Sequence, residues 1–246
     1  SMEMALGYAE LKDELPDLED RDQALAVDLR GRDPDEVFTS IAYEKGSLFL
    51  YELELAGGRE AFDRFLLDYF NAFAFRSIST EEFLDYMERT LVADHPESVN
   101  MERIRQWIFE PGLPEGAPVP RSAAFAPVEE ARQGWLAGQI AAENIDTGDW
   151  TYHHWKQFLD GMPQQLRRDK LEDLDSTFRL TTARNNEIAF SWLRIAIRNG
   201  YEPAFERLED FLVTIGRTKF IGVLYEDMMV AGMGEMANRV FEKAKP

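Results

Sequence analysis

FTSIAYEKGSLFLYELELAGG, residues Phe38–Gly58, sets Tyr43 directly before Glu44, Lys45 and Gly46 and then runs into Leu48, Phe49, Leu50, Tyr51, Leu53 and Leu55. The apolar run ends on Gly57-Gly58, a strong helix stop, so the stretch predicts one buried helix. Upstream, Asp33-Pro34 offers a helix start, with Asp as N-cap and Pro at the first helical position. Tyr43 then stands at the mouth of that helix, where it either fills core space or aims a hydroxyl outward.

Helical signals continue on both sides. REAFDRFLLDYFNAFAF follows with Phe62, Phe65, Leu66, Tyr69, Phe70 and Phe73 at helical spacing, and Ser79-Thr80-Glu81-Glu82 is a capping box that opens a helix carrying Phe83, Leu84 and Met87. MERIRQWIF runs up to Pro111-Gly112. The segment EPGLPEGAPVPR, Glu110–Arg121, holds four prolines and two glycines, which leaves no room for a helix or a central strand. It divides the chain into residues 1–110, a linker 111–121 and residues 122–246. Beyond it, amphipathic segments punctuated by Gly, Pro or Asn predict helix pairs stacked in an armadillo- or HEAT-like array. The fold class is all-α. ALAVDLRG (Ala24–Gly31) is the sole strand candidate and is too short to decide.

Composition narrows the function classes. The formal net charge of −19 argues against nucleic acid or an anionic membrane as partner. The densest acidic stretch, DELPDLEDRD (Asp13–Asp22), suits a solvated loop. With no cysteine, disulfides and thiolate chemistry are excluded. No apolar run approaches the roughly 18–20 residues of a membrane span, so a cytoplasmic protein is expected. Ser1 before Met2 reads as a remnant of tag cleavage, which leaves room for a natural protein that extends further upstream.

Chemistry-bearing motifs are sparse. There is no H-E-x-x-H, no G-x-S-x-G and no phosphate-cradling glycine loop. The histidines are His95, in a loop beside Pro96, and the adjacent pair His153-His154, whose side chains point about 100° apart on a helix and cannot chelate one ion as an i, i+4 pair does. DWTYHHWKQF therefore reads as the start of a packed helix. Met228, Met229, Met233 and Met236 read as core filler. In TIGRTKF, Gly216 ends one helix, and Arg217 and Lys219 open the next, where the helix dipole disfavours cations. Either Arg217 caps carbonyls or pairs with a carboxylate of the chain, or the two cations together form a site for a small carboxylate.

DPDEVFTSIAYEKGSLFLYELELAGG, WIFEPGLP and NNEIAFSWLRIAIRNGYEPAFERLEDFLVTIGRTKF, in that order, resemble the second half of the gluzincin zinc aminopeptidases, in their leukotriene-hydrolase/aminopeptidase branch. The likeness extends from about Asp28 to Pro246. It implies the helical lobe of a thermolysin-like catalytic domain followed by a helical C-terminal domain. It also implies roles: the tyrosine matching Tyr43 donates to the oxyanion formed at a scissile carbonyl, the residues matching Arg217 and Lys219 hold the carboxylate end of a peptide, and Asp35 matches an aspartate that directs water in epoxide opening. Phe38 stands where the leukotriene-processing members carry a tyrosine, which favours aminopeptidase over epoxide chemistry.

The family's zinc ligands, general base and amino-group contacts come from H-E-x-x-H, a downstream glutamate and G-x-M-E-N, none of which is in this sequence. The resemblance thus implies zinc in a full-length parent, none bound by this chain, and a missing N-terminal half as partner. The chain alone is expected to be inactive. Apolar surface around Phe62, Phe65 and Phe73 is expected to lie open to self-association. The competing expectation is a non-catalytic helical-repeat scaffold of the same ancestry.

Overall fold

The computed structural model describes residues 2–33, 37 and 39–245. Among them every regular element is helical and no strand occurs. None of these helices is long and apolar enough to cross a membrane. The chain forms two compact units, Ser1–Ser122 and Ala123–Pro246.

In the first unit, α1 (Met2–Glu14) packs against a π-helical turn, Ile41–Lys45, that runs without a break into α2 (Gly46–Gly57). The wide turn is closed by the Gly46 N–H, which donates to the Ile41 carbonyl five residues back. Gly7 of α1 comes so close to this turn that a β-carbon there would strike the Glu44 carboxylate. Of the expected helix start, Asp33 is not helical, Pro34 lies outside the described residues, and the helix begins at Ile41. Gly58, at φ +81°, reverses the chain between α2 and α3 (Arg59–Ala72), a backbone geometry that glycine adopts without steric cost.

The capping box forms as expected: the Glu82 N–H donates to Ser79 Oγ at 3.2 Å and the Ser79 N–H to Glu82 Oε2 at 2.9 Å, opening α4 (Thr80–Met87). A second π turn, Glu88–Val92, extends α4, and α5 (Met101–Phe109) starts at Asn100, whose Oδ1 accepts from the Glu102 N–H. Leu48, Phe49, Leu53, Leu84, Met87, Ile104 and Trp107 fill one core, with the Phe49 and Trp107 rings 6.1 Å apart.

Phe62 and Phe65 belong to that core, which corrects the expectation that they form an open apolar face. Three positions apart on α3, they share the face turned towards α2 and α4. The apolar side chains left in solvent on this part of the unit are instead Leu67, Phe70 and Phe75. ALAVDLRG forms no strand, although the Ala26 N–H donates to the Ile108 carbonyl at 3.0 Å.

The second unit contains α6 (Ala126–Leu136), α7 (Tyr152–Asp160), α8 (Arg168–Phe178), α9 (Asn186–Arg198), α10 (Phe205–Thr214), α11 (Thr218–Val230) and α12 (Gly234–Ala244). α9 packs against both α7 and α11, and α10 against α12, so alternate helices stack side by side. α9 is apolar over most of its circumference and nearly every residue from Ala189 to Ile197 is buried. Its N-terminus is capped by Asn185, whose Oδ1 accepts from the Glu187 N–H at 2.9 Å. Trp135, Phe158, Trp192 and Phe211 fill the core around it. Met228 joins that core whereas Met229 stands in solvent, so only part of the methionine group is filler. α10 ends at Thr214, with Ile215 rather than Gly216 as its C-cap.

Candidate functional site

Tyr43 and Lys45 sit two positions apart on the π turn, and side chains so spaced on a helix face nearly opposite ways. The consequence is sharp: Lys45 is completely buried, whereas Tyr43 keeps 61% of its surface exposed. A groove of about 660 Å³ opens beside Tyr43. Ala42, Gly46, Ser47 and Leu50 line it together with Leu25, Ala26 and Ile108 and with Tyr69, Ile78 and Phe83. The first unit thus presents a phenol in the wall of a mainly apolar groove.

Lys45 is held from beneath. Its Nζ donates to the Gln23 carbonyl at 2.8 Å and to the Glu110 carbonyl at 2.7 Å. Burial pushes the ammonium down to about 8, opposed by the Glu110 carboxylate. Gln23 is in turn fixed by its side-chain amide, which donates to the Leu15 and Leu18 carbonyls. Sequence reasoning singled out Tyr43 and passed over Lys45. The available signal was its spacing, three and four residues before Leu48 and Phe49, which places a lysine on the buried face.

In the second unit, Arg217 is the N-cap of α11 and Lys219 lies in its first turn, both exposed. They flank one ring: the Arg217 guanidinium lies 5.5 Å and Lys219 Nζ 5.7 Å from the centroid of Phe220. Phe220 itself is buried against Phe190 and Phe211. Lys219 Nζ reaches Glu187 Oε1 on α9 at 3.4 Å, a contact the sequence did not reveal because Glu187 is 32 residues away. The structure therefore brings Arg217 and Lys219 together around Phe220. Tyr43 belongs to the other unit, and Asp35 and Phe38 lie outside the described residues.

The resemblance implies zinc in a full-length parent and none bound by this chain. Among the described residues no three His, Asp or Glu side chains form a ligand set. His154 Nδ1 accepts from the Thr151 N–H at 3.1 Å and closes a capping box at the start of α7, and His153 lies against Tyr152. His154 is thereby engaged in starting a helix.

Known proteins are similar to this chain in sequence and in fold. Residues 5–107 match the family described as Peptidase family M1 domain, and residues 150–246 match Leukotriene A4 hydrolase, C-terminal. Aminopeptidase B of Mus musculus is 32% identical over 219 residues, covering 84% of this chain and 33% of that protein. Leucine aminopeptidase 2 of Yarrowia lipolytica is 29% identical over 239 residues, covering 90% of this chain and 36% of that protein. The structure of yeast LTA4 hydrolase in complex with Bestatin superposes with a TM-score of 0.83 at 23% identity, over 98% of this chain and 43% of that one, which shows the shared fold. The chain spans about a third of the length of the curated relatives it matches. With an M1 segment followed in order by a leukotriene A4 hydrolase C-terminal segment, the chain belongs to the M1 peptidase family, in its leukotriene A4 hydrolase/aminopeptidase branch.

Proposed function

We propose that this chain supplies the substrate-side groups of a zinc aminopeptidase that removes N-terminal residues from peptides, with Tyr43 as oxyanion donor and Arg217 and Lys219 as contacts for the substrate carboxylate. The observation that carries this reading is the exposure of Tyr43 in a groove wall while Ile41 and Lys45 on the same turn are buried. A preorganised hydroxyl beside apolar walls stabilises charge developing on a carbonyl oxygen far better than water does. The relatives named Aminopeptidase B and Leucine aminopeptidase 2 support peptides as the substrate class. Asp35 is kept as a further substrate-side contact on the resemblance alone. Because a phenyl ring at Phe38 offers no hydroxyl, peptide hydrolysis is favoured over epoxide opening.

Zinc and the general base are assigned to a segment carrying H-E-x-x-H, which this sequence lacks. The 246-residue chain mixed with a zinc salt should therefore release no product from an aminoacyl arylamide. Turnover that persists on repurification and disappears in Tyr43→Phe would return the whole reaction to this chain.

The cationic pair is tested in the full-length gene product. Arg217→Ala should raise KM for peptides by roughly 10- to 100-fold, the loss of one charge-assisted hydrogen bond, with kcat changed only a few-fold. An unchanged KM would remove Arg217 from substrate binding. A full-length product without peptidase activity would favour the helical-repeat scaffold instead.

A further inference from the structure

Three segments meet at Lys45. Its own turn carries Tyr43, the Gln23 carbonyl it grips lies two residues before the groove-lining Leu25, and the Glu110 carbonyl lies two residues after the groove-lining Ile108. The same two segments are joined once more, by the Ala26 N–H donating to the Ile108 carbonyl. Lys45 bonds both segments to the turn holding the phenol.

From this we infer that Lys45 is a positioning residue: it fixes the height and direction of Tyr43 over the groove by tying the π turn to the segments ending at Gln23 and Glu110. The inference rests on the proposed role of Tyr43 as oxyanion donor. An ammonium offers several donors in different directions from one compact centre, so a single side chain can hold two backbone segments at once. A methionine fills similar space and holds neither. Catalytic geometry is unforgiving, since a displacement of about 1 Å at a reacting group can cost about a hundredfold in rate.

The test is a double-mutant cycle in the full-length, zinc-loaded enzyme, with kcat and KM read separately. Lys45→Met alone should lower kcat about 10- to 30-fold with KM within about threefold, because the misplaced hydroxyl matters in the transition state rather than in substrate binding. Added to Tyr43→Phe, it should lower kcat no further than about twofold, since the group it positions has already gone. Independent losses that multiply would overturn the inference and leave Lys45 a purely structural residue. If Tyr43→Phe alone has no effect on kcat, the failure lies with the oxyanion reading instead, and the inference falls with it. Should Lys45→Met not fold, Gln23→Ala replaces it. That change removes the bonds to the Leu15 and Leu18 carbonyls that steady one anchor, and its smaller loss of kcat, about threefold, should likewise vanish in the Tyr43→Phe background.

Discussion

Tyr43→Phe in the full-length enzyme is expected to lower kcat about 100- to 1000-fold, the loss of roughly 3–4 kcal/mol of transition-state stabilisation from one oxyanion donor. KM should stay within a few-fold, because the ground-state carbonyl gains little from a donor aimed where charge later develops. Stability should hardly change: the ring stays, and most of its surface is already in solvent. Steady-state kinetics on an arylamide substrate, with a thermal melt of each protein, separates these outcomes. A variant that melts normally and keeps wild-type kcat would return Tyr43 to a packing role. A variant that loses kcat only in proportion to lost folded protein would do the same.

The second large effect is expected in the stability of Lys45→Met. Lys45 titrates at about 8 when folded and near its ordinary 10.5 when unfolded. Below pH 8 the amine is protonated in both states, and the folded state bears the whole cost of burying a cation. Between pH 8 and pH 10.5 the unfolded chain holds the proton and the folded one does not, so stability rises with pH by about 3 kcal/mol from this group. The neutral amine still has hydrogens enough to donate to both carbonyls. Methionine has none, and each buried carbonyl left without a donor costs about 1–3 kcal/mol.

The variant is therefore expected to be less stable by about 1–2 kcal/mol at pH 7 and by about 4–5 kcal/mol at pH 10.5. Urea unfolding of both proteins at several pH values measures this directly, because every other group titrates in both. A stability difference that stays flat from pH 7 to 10.5 would show that Lys45 is not buried as a charge.

How far the sequence disclosed this molecule differs from one feature to the next. The all-helical fold was legible, because the spacing of Leu48, Phe49, Ile104, Trp107, Phe190 and Trp192 records which faces are buried. Local chemistry was legible too: the Ser79–Glu82 capping box depends on residues three apart and forms as read. The π turn was not legible, since one extra residue in a helical turn leaves the apolar pattern of α2 unchanged. Nor were Glu187 beside Lys219 or the two carbonyls on Lys45, because those partners are 32, 22 and 65 residues distant and no local rule couples them.

Phe62 and Phe65 were misjudged for a related reason. Helical spacing marks a face as apolar without saying which element covers it, and here the first unit's own helices do.

The π turn at Ile41–Lys45 also bears on how this stretch is to be compared among relatives. A π turn holds one residue more than the α turn it replaces while joining the same flanking positions. A homologue with an ordinary turn there would be one residue shorter between Ser40 and Gly46 and still superpose on both sides. In an alignment, the gap would belong inside the turn and not in the loop before it. Set in the loop, it would pair Tyr43 with a neighbour about 100° around the helix, and the shared hydroxyl would vanish from view.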